Sequence, residues 1–325
     1  MQGLLPDGTI IAVKQLSSRS NQGNREFLNE IGIISALRHP NLVKLYGCCI
    51  EGDQLLLVYE YMENNSLAHA LFRKHFLIIF TSKHRICIGI ARGLAFLHEE
   101  SRLKIIHRDI KATNVLLDRD LNPKISDFGL AKLRDGDKSH ISTRIAGTLG
   151  YMAPEYVVHG YLTEKADVYS FGIVTLEIVW GKRITKFAPK EDIIHLADWV
   201  HALQERGALL EFVDPRLGAE YNEEEVISTI NVALLCTNAS HLLRPTMSTA
   251  ISMLEGHTAI QVPTDRPSSS DDLKFRITRK RDQTISSTSN SKEETSYTDQ
   301  AGIVSSSRSA HDLYPVSLDS KDWNG

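Results

Sequence analysis

The densest group of reactive side chains in the sequence is the octapeptide His107–Asn114, which contains a histidine, an arginine, an aspartate, a lysine and an asparagine. It follows a stretch with helical apolar spacing and precedes the apolar run Val115–Leu117. This order predicts a loop between a helix and a strand. Such a loop can present an acid, a cation and an amide together at the edge of a cleft, where they could orient a hydroxyl and neutralise an anion.

Three further short motifs accompany this loop. They are Ala12–Lys14 on an early apolar strand with Glu30 on the following helix, Asp127–Gly129 directly after a short strand, and Ala153–Glu155 further on. Each is weak by itself, because such tripeptides occur by chance and a lone lysine–glutamate pair is more often structural. Together and in this order, they match the signature set of protein kinases.

The stretch from Leu4 to Gly256 resembles the cytoplasmic kinase domain of plant leucine-rich-repeat receptor-like serine/threonine kinases. The resemblance rests on the phrases Arg25–Glu30, His39–Val43, Leu57–Met62, Gly147–Tyr156, Asp167–Gly172 and Arg244–Pro245. It implies an α+β, bilobal protein-kinase fold. We expect a small sheet-rich lobe in residues 1–62, a larger helical lobe in residues 63–256 and a Ser/Thr-rich tail in residues 257–325.

Residue spacing gives the elements that must position these motifs. The first sixty residues read as strand, helix, strand, strand, and most of the rest is helical. The predicted helices cover 24–38, 82–100, 163–181, 193–205, 223–237 and 245–254, and the predicted strands cover a hairpin within 4–16 and the segments 42–49, 54–59, 115–117 and 124–126. A sheet-rich part followed by a helical part implies a cleft between them.

The resemblance implies catalytic roles for three residues of the loop. Asp109 is expected to accept the proton of the substrate hydroxyl, and Lys111 to lie near the transferred phosphate. Asn114 and Asp127 are expected to hold Mg²⁺, an ion that prefers hard oxygen ligands. Phosphoryl transfer depends mainly on positioning and electrostatics, so these few residues could carry most of the chemistry.

The resemblance also implies an ATP site. Lys14 would hold the α- and β-phosphates and Glu30 would fix its direction, while Ala12 and Leu116 would enclose the adenine ring. Tyr59 would stand at the back of the pocket. Backbone groups of Glu60, Tyr61 and Met62 would bind the adenine edge.

Substrate choice and regulation follow from neighbouring residues. In the resembling family, a lysine at position 111 goes with serine/threonine kinases. Arg108 suggests control by activation-loop phosphorylation, because a phosphate adds about −1.5 to −2 charges that an arginine can pair. The candidate sites are Ser139, Ser142 and Thr143, and the alternative is that they form a solvated polar loop.

Several residues of the motifs are expected to be architectural. Glu155 and Arg244 are predicted to form a buried ion pair, and Asp167 to brace the catalytic loop. His107 is predicted to be a packed histidine rather than a proton shuttle. Thr148 is predicted to contact the octapeptide His107–Asn114, which we call the catalytic loop.

The sequence departs from the family in two places. No G-x-G-x-x-G motif precedes Lys14, since Gly3 and Gly8 do not fit the spacing. We therefore expect an incomplete small lobe from an N-terminally truncated product or gene prediction, and a catalytically weak or inactive pseudokinase-like scaffold is the alternative function. The apolar run Phe76–Phe80 replaces a polar loop, either as a buried substitute or as a mis-spliced segment.

Charge and motifs narrow the classes of molecule that the chain is expected to bind. The net charge of −3 gives no reason to expect nucleic acid. Protein substrates are expected, with a kinase homo- or heterodimer as a further possibility. A small-molecule kinase is disfavoured, because the segment 147–155 resembles one that binds protein substrates.

The chain contains no apolar run of the roughly 20 residues needed to cross a bilayer. As written it is expected to be cytoplasmic, with a membrane link only through a missing upstream segment; the family works at the cytoplasmic face of the plasma membrane. The four scattered cysteines indicate neither disulfides nor zinc. Cys48 and Cys49 are expected in the core. Few apolar residues follow Pro263, so the tail is expected to be disordered.

Overall fold

The computed structural model of this chain describes residues 1–73, 77–134, 140–184 and 196–260. The small part is a four-stranded antiparallel sheet of β1 (Gln2–Leu4), β2 (Ile10–Ser17), β3 (Leu45–Glu51) and β4 (Gln54–Glu60), in the order β1-β2-β4-β3. Period-2 alternation explains its buried face, because Leu55, Leu57 and Tyr59 of β4 are buried while the residues between them are half-buried. Pairing of β2 with β4 sets Ala12 opposite Tyr59.

The helix α1 (Asn21–Ile34) follows β2 and packs on this sheet. The Ser20 side chain caps it by accepting a hydrogen bond from the backbone N–H of Gly23 at 2.9 Å. Phe27, Glu30 and Ile34 lie on its buried face. A carboxylate is therefore carried into the interior by an otherwise apolar helix face.

The larger part is mainly helical. Its helices are α2 (Leu67–Phe72), α3 (Phe80–Ala95), α4 (Pro154–His159), α5 (Glu164–Trp180), α6 (Leu196–Glu205), α7 (Glu223–Cys236) and α8 (Met247–Leu254), and a single π-helical turn, Phe96–Glu100, continues α3. The residues of α5 are buried from Ala166 to Trp180, so this helix is the centre of the core.

Short antiparallel strand pairs lie between the helices and hold the ends of the loops. They are β5 (Ile105–Ile106) with β8 (Lys132–Leu133), β6 (Val115–Leu117) with β7 (Pro123–Ile125), and β9 (Ile141–Ser142) with β10 (Tyr161–Leu162). The octapeptide His107–Asn114 lies between β5 and β6, and Asp127 follows β7 after one residue. Both motifs therefore emerge from the same small group of strands.

The apolar run before α3 is partly buried. Ile78 and Phe80 are 3% and 2% exposed, whereas Leu77 and Ile79 are 49% and 61% exposed. Phe80 belongs to the core cluster that contains Leu176 and Trp180. Two of the apolar side chains thus act as the buried substitute that the sequence suggested, while Phe76 lies outside the described residues.

The expectation that Cys48 and Cys49 belong to the core is wrong, because both are exposed. They lie on β3, which is an edge strand of the sheet. Cys87 and Cys236 are buried, and burial raises the pKa of each thiol to about 12. An apolar run in the sequence did not distinguish an edge strand from a central one.

The boundaries assigned to the lobes and the tail stay predictions. Ile260 still packs against the main core, and most of the predicted tail, residues 261–325, lies outside the described residues. Across the described ranges, no helix combines the length and the apolar composition needed to span a bilayer.

Candidate active site

Lys14 lies where the sheet, α1 and the segment after β7 meet. Its Nζ atom is 3.0 Å from Oε2 of Glu30 and 2.6 Å from Oδ1 of Asp127. Burial disfavours the ammonium form, but the charges of Asp127 and Glu30 outweigh burial and raise the pKa of Lys14. Burial also disfavours ionised Asp127, yet the adjacent Lys14 holds the pKa of that carboxyl below its usual value. The result is a fixed cation beside an ionised carboxylate.

Glu30 has a second partner in Tyr59. The Tyr59 hydroxyl donates a hydrogen bond to Oε1 of Glu30, while Lys14 contacts the other oxygen. Burial raises the pKa of Glu30 and also that of Tyr59, so the hydroxyl remains a donor. The sequence predicted Tyr59 at the back of the pocket but did not predict this contact with Glu30. The contact depends on how α1 packs against β4.

Asp109, Lys111 and Thr148 form a closed triangle of hydrogen bonds. Lys111 Nζ donates to Oδ2 of Asp109 at 2.8 Å, and the Thr148 hydroxyl donates to Oδ1 at 2.7 Å. Lys111 Nζ also lies 3.0 Å from the Thr148 oxygen. Thr148 therefore contacts the catalytic loop, as the sequence indicated, and the orientation of the Asp109 carboxylate is set from both sides.

Asn114 closes the other side of this group. Its Nδ2 atom donates to the backbone oxygen of Asp109 at 2.9 Å and to Oδ2 at 3.1 Å. Its Oδ1 atom is buried and has no hydrogen-bond partner among the described residues. A buried oxygen without a donor is costly unless something binds it, which makes Asn114 suited to a cation.

The oxygens of Asn114 and Asp127 are hard ligands of the kind that Mg²⁺ takes, and the assignment of the ion to these two residues stays a prediction. Asp127 has a positive φ of 68°, a strained conformation for a residue other than glycine. Within the described ranges, no group of three or more His, Cys, Asp and Glu side chains could hold a metal.

Asp167 on α5 holds the backbone of the catalytic loop. Its carboxylate accepts hydrogen bonds from the backbone N–H groups of His107 at 2.7 Å and Arg108 at 2.8 Å, and lies 3.0 Å from Nε2 of His98. Burial opposes its charge, but the hydrogen bonds from His98 and from the backbone N–H of His107 keep the pKa of Asp167 below its usual value. The brace predicted from the sequence is present.

His107 is packed as a structural side chain. Its Nε2 atom lies 3.0 Å from the backbone oxygen of Ser126, and its ring meets Phe128 edge-on with centroids 4.9 Å apart. It therefore links the start of the octapeptide to Ser126 and Phe128, the residues on either side of Asp127. This contact suits the role of a packed histidine.

The contacts of the residues assigned to the adenine pocket do not test that assignment. Ala12 and Leu116 are both 1% exposed. The Glu60 carboxylate contacts Lys124 Nζ at 3.0 Å and accepts from the backbone N–H of Lys44 at 2.7 Å. Met62 is buried and its carbonyl accepts from the N–H of Asn65 at 3.2 Å. Adenine binding by these residues stays a prediction.

The Arg108 guanidinium is hydrogen-bonded to other groups of the protein. Its guanidinium donates to the backbone oxygens of Leu130 at 3.0 Å and Arg144 at 2.8 Å, and to the Tyr156 hydroxyl at 2.6 Å. The sequence did not identify Tyr156 as a partner, although it directly follows the Ala-Pro-Glu motif. Arg108 thus already links the catalytic loop to the segment that precedes α4.

The three candidate phosphorylation sites are placed unequally. Ser142 is exposed on β9, and Thr143 after it is half-buried. Ser139 lies outside the described residues. Their role as phosphorylation sites stays a prediction.

Glu155 and Arg244 form the predicted ion pair in bidentate geometry, with N–O distances of 2.7 and 2.8 Å. The Arg244 side chain has no exposed surface, and that of Glu155 is 11% exposed. Arg244 also donates to the backbone oxygens of Asn238 and Lys165 at 2.8 and 2.9 Å. This pair anchors the segment beside the catalytic loop to the core.

Residues 4–254 match the family described as protein kinase domain. A probable leucine-rich repeat receptor-like serine/threonine-protein kinase of Arabidopsis thaliana is 58% identical over 99% of this chain and 32% of its own length. Two other probable LRR receptor-like serine/threonine-protein kinases of that plant are 65% and 63% identical, over 82% and 85% of this chain and 27% of each relative. This chain therefore spans about a third, or less, of the curated relatives it matches.

These similarities bear on several predictions at once. The resemblance to receptor-like serine/threonine kinases and the α+β kinase fold are confirmed, and the matches support a transferase of the kinase class. The family match also agrees with general use of ATP and a divalent metal. The chain belongs to the protein kinase family.

Proposed function

We propose that this chain transfers the γ-phosphoryl group of ATP to serine or threonine hydroxyls of proteins, with Mg²⁺ bound at Asn114 and Asp127. The observation that carries this proposal is the triangle of Asp109, Lys111 and Thr148 next to the unpartnered Oδ1 of Asn114. It supports an oriented carboxylate, a fixed cation and an open metal ligand in one place.

The triangle suits an alcohol as phosphoryl acceptor. Asp109 is fixed by Lys111 and Thr148, so it can accept the proton of an incoming hydroxyl with little loss of orientational freedom. The Lys111 ammonium is close enough to this carboxylate to stabilise negative charge that develops on a phosphoryl group beside it.

The opposite side of the site suits the nucleotide. Lys14, oriented by Glu30, would bind the α- and β-phosphates of ATP. Mg²⁺ at Asn114 and Asp127 would neutralise the charge of the terminal phosphates. Ala12 and Leu116 would enclose the adenine.

Regulation and location belong to the same proposal. A phosphate on Ser142 or Thr143 would compete with Leu130 and Arg144 for the guanidinium of Arg108. The relatives are named receptor-like kinases, so we place the activity at the cytoplasmic face of the plasma membrane, with proteins as substrates and a kinase homo- or heterodimer as the assembly.

The test is incubation of the purified chain with Mg-ATP, with phosphate incorporation located by mass spectrometry. The Asp109→Asn variant is the control, because it is nearly isosteric but cannot act as a base. A third sample carries the glycine-rich strands of a relative fused before Leu4. We expect phosphorylated Ser and Thr residues that are absent from Asp109→Asn.

The samples separate the possible functions. Transfer by the chain itself supports the proposal directly. Transfer by the fused form alone supports the assigned residue roles, with the glycine-rich segment required for activity. A folded fused form that binds no nucleotide and transfers no phosphate would overturn the proposal in favour of a scaffold.

A further inference from the structure

Asn29 makes a contact that the catalytic motifs do not explain. It precedes Glu30 on α1, and its side chain is half-buried. The Nδ2 atom donates to three backbone oxygens, those of Phe128 at 3.0 Å, Gly129 at 3.0 Å and Ala131 at 2.8 Å. The side-chain amide of Asn29 therefore contacts three of the four backbone carbonyls in residues 128–131, which directly follow Asp127.

The turn that presents these carbonyls is in close contact with the helix. Residues Phe128–Leu130 form one turn of 3-10 helix, closed by the hydrogen bond from Ala131 N–H to the Phe128 oxygen at 3.0 Å. A side chain added at Gly129 would place its Cβ 3.2 Å from Cβ and from Cγ of Glu26. The glycine therefore lets the turn approach α1, and Asn29 fastens it there.

The position of Asn29 gives this contact a role in the reaction. Glu30 is its neighbour on the helix, and Asp127 is the neighbour of Phe128, so the amide connects the backbones that carry the two carboxylates meeting at Lys14. We propose that Asn29 is a positioning residue that holds α1 and the turn after Asp127 at the separation required for Lys14 to contact both carboxylates. This inference rests on the proposed kinase function.

The chemistry of the contact requires a donor. Three carbonyl oxygens converge on Asn29, and an amide nitrogen carries two hydrogens to share among them. A carboxylate of the same shape has no hydrogen to offer and would face three acceptors. Asn29→Asp is therefore a nearly isosteric change that turns the attraction into repulsion.

The helix also offers a matched control. Asn24 is likewise half-buried on α1, and its Nδ2 atom donates to a single backbone oxygen, that of Ser18, at 2.8 Å. Asn24→Asp makes the same chemical change on the same helix but away from the turn. A general effect of added charge on α1 would appear in both variants.

The experiment compares the wild-type chain, Asn29→Asp and Asn24→Asp by hydrogen-exchange mass spectrometry and by titration with a non-hydrolysable Mg-ATP analogue. We expect Asn29→Asp to speed exchange in the peptide that contains Phe128–Ala131 and to weaken analogue binding by about tenfold, the loss of roughly one hydrogen-bond energy. Asn24→Asp should leave both readouts within about twofold of wild type, because the single hydrogen bond that it removes goes to Ser18 and not to the turn after Asp127.

Each outcome decides the inference. Unchanged exchange in the peptide and unchanged analogue affinity in folded Asn29→Asp would overturn it. If Asn29→Asp does not fold, Asn29→Ala replaces it, and the same two readouts apply. If the wild-type chain binds no analogue, the titration is repeated with the three sequences in the fused form, and only a fused form that also binds none makes the proposed function fail. The exchange comparison decides in either case whether Asn29 fastens the turn to α1.

Discussion

The carboxyl group of Glu177 allows the most demanding test of this structure. It lies in the last turn of α5 with no exposed surface. The Tyr151 hydroxyl lies 2.9 Å from both of its oxygens, and the backbone N–H of Ile184 donates to Oε1 at 2.7 Å. Burial raises the pKa of Glu177 to about 7, although these donors and the nearby charge of Arg183 act in the opposite direction.

The sign of the pH effect follows from this shift. The ordinary pKa of the group is 4.5, and in the folded chain it is about 7. Between these values the folded protein binds more protons than the unfolded chain, so stability falls as the pH rises through this window and then levels off. Each pKa unit corresponds to about 1.4 kcal/mol, so ionisation of Glu177 costs about 2–3 kcal/mol between pH 5 and pH 8.

The Glu177→Gln variant removes this cost, because its side chain keeps an acceptor for Tyr151 and Ile184 but does not ionise. We expect the variant and the wild type to have similar stability at pH 5. At pH 8 the variant should be more stable by about 2–3 kcal/mol, or about 5–10 °C in Tm for a domain of this size. The assay is thermal unfolding followed by circular dichroism across this pH range.

The control is Glu211→Gln, which makes the same charge change at an exposed position of the same part of the chain. Its stability relative to wild type should change little with pH. A gap between Glu177→Gln and wild type that is the same at pH 5 and pH 8 would refute the reasoning. It would mean that the donors around Glu177 keep it ionised throughout.

Three further predictions concern other parts of the chain. Asn114→Ala should raise the Mg²⁺ concentration for half-maximal phosphate transfer by about tenfold or more, since even indirect partners of metals have effects of that size. Glu155→Gln should lower the free energy of unfolding, measured with urea, by about 3–5 kcal/mol, because it strands the charge of Arg244; a loss below 1 kcal/mol would contradict a buried pair. Phe80→Ala should cost about 3–5 kcal/mol through a core cavity, whereas Ile79→Asp, at an exposed position, should change stability by less than about 1 kcal/mol.

Periodicity predicted the long elements well and their ends less well. The helix α1 was expected at 24–38 and covers Asn21–Ile34. Its start was missed because Gly23 obscures the helical pattern, although Ser20 is a typical cap. The short helices α2 and α4 have six residues each, too few to show a period, and were not predicted.

The sequence predicted the contacts of the site that belong to a known motif. It did not predict those that depend on how distant segments pack together. The pairing of Lys14 with Glu30 followed from the kinase signature. The direct contact of Lys14 with Asp127 joins residues 113 positions apart and depends on how the turn packs against α1. The hydrogen bonds of Asn29 go to backbone oxygens, which leave no trace in side-chain patterns.

The placement of the cysteines has a practical consequence for spectroscopy. Cys48 and Cys49 are open to solvent on the edge of the small sheet, whereas Cys87 and Cys236 are buried thiols whose pKa is about 12. Since the thiolate is the species that attacks a maleimide, the native chain should take up fluorophore on β3 alone. The label would then report on movement of the sheet edge, and the two core thiols would become reactive only on unfolding.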